Sequence, residues 1–145
     1  MQISSRFTIA VQIFCCIDVF ADKRNITSDF LAKSTNVNPV TIRNILGQLK
    51  KAGLIQVGRG RSGTISICHP DQMTMFDIYQ AVECVDQGEL FRFHENPNLN
   101  CVVGKNIHEI LDGRLQQIQD AMEKEMKSIS WRDIKQETDQ LIPRT

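Results

Sequence analysis

Arg43 and Asn44 stand side by side in the run Asn38-Pro39-Val40-Thr41-Ile42-Arg43-Asn44, and Arg59 and Arg61 alternate with glycines in Gly58-Arg59-Gly60-Arg61-Ser62-Gly63. A guanidinium can give two parallel hydrogen bonds to a guanine edge, a carboxamide can pair with adenine, and a side chain such as Val40 can touch a thymine methyl. Arginines on a glycine-rich loop suit close approach to a phosphate backbone or insertion into a narrow minor groove. The same residues also fit a solvated helix face and a loop that needs glycine only for its turn, and Arg43 would serve a phosphate as well as a base. A nucleotide-phosphate loop is a poorer fit, because no Lys-Ser/Thr follows the glycines. Asn38 and Thr41 at the start of the same helix, and Ser5, Arg6 and Thr27 near other helix starts, complete the candidate contacts. The last three suit phosphates, which position a protein without specifying sequence.

The elements needed to present these groups are written in local signals. An apolar stretch from about 2 to 21, with Ile3, Phe7, Ala10, Val11, Phe14 and Ile17 on one face, reads as a buried first helix. Gln12 and Asp18 interrupt it, so it is too polar and too short for a membrane span, and no small-x-small cleavage site follows it. Thr27 predicts an N-cap for a short helix ending near Ser34, with Ile26 and Leu31 as a hydrophobic staple and Asn36 as the left-handed residue of a tight turn. Asn38-Pro39 predicts the cap and first position of a second helix, over 39–52, whose stripe Ile42, Ile45, Leu46 and Leu49 faces inward. Val40, Thr41, Arg43, Asn44 and Gly47 are then its exposed positions. Two β-rich segments, 54–57 and 64–67, flank the glycine loop at 58–63 and predict a hairpin, or wing.

Thr74 and Asp77 predict a capping box that opens a helix through about Val85, with Phe76, Ile78, Tyr79 and Val82 as its apolar face. Residues 86–101 read as a polar loop. From about Gly104 a long helix carries Ile107, Leu111, Leu115, Ile118, Met122 and Met126 over about six turns, roughly 30 Å or more. A winged domain of this size cannot hide that whole stripe, so a like helix from a second copy is the simplest cover; folding back on its own domain is the alternative. Ser130 and Asp133 predict a short last helix containing Trp131 and Ile134. The fold expected is mainly α with a small β-hairpin wing: a winged helix-turn-helix over 1–86, a regulatory loop over 87–103, and a dimerisation helix plus C-terminal helix over 104–145.

Charge supports a polyanion partner once it is resolved along the chain. The total is zero, but residues 1–70 carry nine Lys/Arg against three acids and residues 71–145 carry eight against fourteen. A basic half attracts DNA and an acidic half is repelled by it. Five cysteines with no Cys-x-x-Cys argue against a disulfide framework or a zinc ribbon, and suit a reducing cytoplasm. His69, His94 and His108 lie apart, and no nucleophile–base or paired-carboxylate motif is visible, so no enzyme is expected.

The segments NPVTIRNILGQLKKAGLIQVGRGRSG and DQMTMFDIYQAVE, with SSRFTIAVQI near the start, resemble the Rrf-two family of bacterial winged-helix transcription regulators, which includes the iron–sulfur cluster regulator and the cysteine-metabolism repressor. The resemblance covers nearly the whole chain. It implies a homodimer crossed through the long helix and bound to a palindromic operator by the helix over 39–52 and the wing, most simply as a repressor. Carried onto matching positions, it assigns base reading to Val40, Arg43 and Asn44 and minor-groove contact to Arg59. Cluster-binding members have three cysteines and a histidine before the long helix. Here Cys101 matches the last cysteine, Glu89 and Glu95 stand where the others belong, and Gly104 takes the histidine position. The chain therefore reads as a cluster-less member with no cofactor and no metal, Cys84 and His94 being poor substitutes. Thr64 and Ile65 replace the family's usual aromatic after the wing glycines.

Cys101 is left either as an inert small residue or as a sensor of oxidants or electrophiles, since a helix N-terminus lowers a thiol pKa. Cys15 and Cys16 read as core packing. An unidentified small molecule is the other signal that the loop suits, and no membrane partner is expected. The competing class is a winged-helix module that binds protein instead of DNA.

Overall fold

The computed structural model describes residues 4–58, 63–82, 90–91 and 93–143. Among the described residues, six helices and one hairpin follow in the order α1 (Arg6–Phe20), α2 (Ser28–Thr35), α3 (Pro39–Lys51), β1 (Ile55–Val57), β2 (Ile65–Ile67), α4 (Met75–Ala81), α5 (Val102–Ser128) and α6 (Trp131–Leu141). This is the expected mainly helical chain with a hairpin wing. No described helix is long and apolar enough to cross a membrane.

Each local signal acts through a specific bond. Thr27 Oγ1 accepts from the Phe30 N–H at 3.2 Å, and Asn36 takes the left-handed conformation at φ 55°. Ile26 and Leu31, the predicted staple, are both fully buried. Gly53 ends α3 at φ 77°, donating to the Lys50 carbonyl while Leu54 donates to that of Leu49. That pair of bonds is a Schellman closure, which favours glycine because a Cβ strains the left-handed residue.

The core joins α1 (Ala10, Ile13, Phe14, Ile17) to Ile26, Leu31, Ile42, Ile45 and Leu49, to Ile55 and Ile65 of the hairpin, and to Ile78 and Val82 at α4. Cys16 lies in it as well, and Cys15 is packed against it. Trp131 of α6 completes it at 2% exposure, its ring 5.9 Å from that of Phe14. The last helix is thus built into the winged body by a side chain from outside residues 1–86. Met75 N–H donates to the Ile129 carbonyl and Trp131 N–H to that of Met73, fixing the start of α6 against the start of α4.

α1 starts at Arg6 rather than near residue 2, with Ser5 at its N-cap position. The described part of α4 ends at Ala81, with Val82 as its C-cap; Val85 lies outside the described residues. α5 starts at Val102 rather than Gly104, because Cys101 takes the N-cap position. Its C-terminal end rests on α4, with Lys127 Nζ 4.5 Å from the Phe76 ring centroid. Its N-terminal half is covered by the described part of the preceding chain, a strap at 90–91 and 93–101. Leu90 N–H donates to Gln119 Oε1 at 3.0 Å. At the other end, a Cβ on Gly104 would stand 2.3 Å from the Asn98 carbonyl oxygen, so only glycine permits the strap to cross there.

Candidate nucleic-acid interface

α3 is held by its buried stripe and leaves one side open. Ile42, Ile45 and Leu49 are completely buried, whereas Val40 is 57% exposed and Arg43, Asn44 and Gly47 are exposed with it. An added Cβ at Gly47 would meet nothing within 4 Å, so no neighbour obstructs the helix there. Asn38 accepts from the Val40 N–H at 2.8 Å and Pro39 occupies the first turn. The Asn38 side chain is therefore engaged in setting where α3 begins. Thr41, expected among the exposed positions, is half-buried because it neighbours the inward-facing Ile42 and Ile45.

The wing is tied to the body at its base. Ile55 pairs with Ile67 and Val57 with Ile65, and Gly58 N–H donates to the Thr64 carbonyl at 2.7 Å. Ile65 N–H donates to the Ile26 carbonyl, and Ile26 N–H donates to Thr64 Oγ1 at 3.0 Å. Thr64, standing where the family aromatic was expected, thus anchors the hairpin by its hydroxyl, and its methyl lies against Gly58. Arg59 and Arg61 lie outside the described residues.

Each candidate phosphate contact has a defined local setting. Ser5 is exposed at the N-cap position of α1 and makes no side-chain cap bond. Arg6 donates from Nη2 to the Gln48 side chain, joining the start of α1 to α3. Thr27 Oγ1 serves the α2 cap, which leaves its O–H to donate. Arg24, a cation that sequence reasoning passed over, is exposed just before α2 with its guanidinium 4.0 Å from the Phe30 ring centroid. Its contact crosses a turn, so no helical or strand period announces it.

Along α5, Val103, Ile110 and Ile118 are 61%, 56% and 51% exposed, and Ile107 and Leu111 are half-buried. Leu115 instead lines a cavity beneath the strap, and Met122 and Met126 are half-buried toward the α4 end. Cys101 is fully exposed, and backbone N–H groups of Gly104 and Val103 hold its thiol below the ordinary range. Burial pushes the Cys15 thiol up.

An outward helix beside an anchored hairpin defines a winged-helix DNA-binding protein. The chain belongs to the Rrf2 family, described as iron-dependent transcriptional regulators, whose profile matches residues 3–137. It is 37% identical over 133 residues to YwnA, an inferred HTH-type transcriptional regulator of Bacillus subtilis (strain 168), covering 92% of this chain and 96% of that one. A solved structure of a protein inferred to bind DNA is 32% identical and superposes with a TM-score of 0.66, covering 90% of this chain and 98% of the other. CymR, the global cysteine regulator of B. subtilis, shares the fold at 20% identity and a TM-score of 0.66, covering 96% and 99%. The family is one of transcriptional regulators and not of enzymes.

Among the described residues, no set of side chains is brought together that fits an iron centre. Such a cluster needs four ligands, and among the described residues no group of three or more His, Cys, Asp or Glu side chains could hold a metal. His94 is stacked on Phe93, and at position 104 the Asn98 carbonyl occupies the space that a histidine would need. Cys84 and Glu89 lie outside the described residues.

Proposed function

We propose that the chain is a homodimeric, sequence-specific repressor that lays α3 of each protomer in a major groove and its wing tip on the adjacent backbone or minor groove. The observation that carries this reading is α3 itself: a helix pinned by three fully buried residues, with Val40, Arg43 and Asn44 exposed on its open side. Arg43 and Asn44 read base edges, Val40 meets a thymine methyl, and Ser5, Arg6, Thr27 and Arg24 grip phosphates, with Arg59 and Arg61 acting from the wing. The exposed apolar residues of α5 pair with those of a second copy, giving two recognition helices and hence a palindromic operator. Winged helix-turn-helix (1–86), regulatory loop (87–103) and dimerisation helices (104–145) divide the work, and repression follows from occupancy of a promoter. A thiol-reactive signal would act at Cys101.

The test is selection of bound duplexes from a random pool, followed by titration of the selected site at several salt concentrations. The expected result is a two-fold symmetric sequence with half-sites about one DNA turn apart, and an affinity that falls steeply with salt. A protein that retains no duplex even at low salt overturns the reading in favour of a protein-interaction module.

A further inference from the structure

The strap and α5 flank a half-open cleft of about 340 Å³ on the side of α5 away from the exposed apolar residues. That volume lies at the lower end of the roughly 300–1,000 Å³ typical of small-ligand clefts. Its walls are Phe91 and Phe93 from the strap and His108, Asp112, Gln116 and Gln119 from α5. The four helix residues recur at spacings of four, four and three, so one face of α5 forms the floor.

These walls are held in place. Phe93 is stacked between two imidazoles, with centroids 3.9 Å from His108 and 4.8 Å from His94. His108 Nδ1 lies 3.2 Å from the Asp112 carboxylate, and the nine-tenths-buried Gln119 bonds the strap backbone at Leu90. The described lining thus offers the Phe91 ring, the edge of the sandwiched Phe93, the Leu115 side chain, one carboxylate and two amides, with no lysine or arginine. Aromatic faces beside a carboxylate attract a positive charge and repel a negative one.

We propose that this cavity is a binding site for a small organic cation, an ammonium carried on a flat or apolar body. The body lies against Phe91 and Leu115, the ammonium meets Asp112, and the Gln116 amide oxygen accepts one of its N–H groups. Because the rings belong to the strap and the carboxylate to α5, an occupied site clamps the strap onto the helix. As an effector site it rests on the regulator reading above; as a binding site it does not, and its test uses no DNA.

Calorimetric titration of the full chain with phenethylammonium, 2-phenylethanol and phenylacetate decides the matter. The cation is expected to bind saturably at one site per chain, about tenfold or more tighter than the neutral alcohol, with no heat from the anion. Asp112→Asn should weaken the cation about tenfold and Phe91→Leu about fivefold, with the circular dichroism unchanged. Asp112→Glu, which keeps the charge, should retain binding within about threefold and so separates lost charge from lost folding. Absence of binding by the cation, as when a second copy covers this face, overturns the proposal. So does anion binding of equal strength, or cation binding indifferent to both Asp112→Asn and Phe91→Leu.

Discussion

Thr74 and Ser130 are partners in an isolated antiparallel bridge, and each is also the N-cap of a helix closed by a reciprocal capping box. Thr74 pairs with Asp77 and Ser130 with Asp133, so two helix starts are fastened back to back. Removing either hydroxyl should cost about 1 kcal/mol, within a range of roughly 0.5–2. Because the two caps share one bridge, Thr74→Ala with Ser130→Ala should show a coupling of about 0.5 kcal/mol or more in a double-mutant cycle. Trp131→Ala, which empties the adjoining core, should cost about 3–5 kcal/mol. Urea denaturation of the four proteins and the tryptophan variant reads all three numbers; strict additivity of the caps would mean that the bridge couples nothing.

Arg43→Ala should weaken binding to the selected operator by about 1–3 kcal/mol and relax preference at one base position of each half-site. Arg6→Ala should weaken all duplexes alike and lower the salt slope by about one. Anisotropy titrations on the operator and its single-base variants distinguish the two. Uniform weakening by Arg43→Ala would move that residue from base reading to phosphate holding.

Much of the fold was legible because its punctuation is local. Thr27, Asn36, Asn38-Pro39, Thr74 with Asp77, and Ser130 with Asp133 each act within a few residues of their own position, and each was found in its expected role. Contacts between distant segments were not legible. Nothing near Trp131 says that it enters the core beside Phe14, and nothing near Thr64 says that its hydroxyl takes the Ile26 N–H. Leu115 fits the apolar period of α5 but faces the strap, since period alone does not say which of two neighbours a stripe meets. For the interface, the exposed positions of α3 followed from the buried ones, with Thr41 the exception because its flank is covered.

Ile110→Glu should abolish self-association without unfolding the chain. The residue is 56% exposed in the single chain, so a carboxylate there is tolerated by the protomer but would be desolvated in a paired α5 seam. Sedimentation equilibrium should report a dimer for the parent protein and a monomer for the variant, with matching helical content. A parent that stays monomeric at all concentrations would remove the dimer from the proposal.

Cys101 should be alkylated first among the described cysteines. Its folded pKa is depressed by the backbone N–H groups of Gly104 and Val103, so thiolate is present at lower pH than in an unstructured peptide. The rate with iodoacetamide should therefore rise with pH through a midpoint below that of a model thiol, whereas Cys15, raised by burial, should lag. Peptide mapping after timed labelling across a pH series reads this directly. If Cys101→Ser leaves peroxide-induced DNA release unchanged, the thiol is reactive but senses nothing.

The Asn98 carbonyl seated against Gly104 closes that position to any side chain. A ligating imidazole introduced at 104 would first have to evict that carbonyl and, with it, the bond it accepts from the Cys101 N–H. A donor side chain at 104 therefore requires a different path for the loop, and no single substitution there supplies one without displacing the strap.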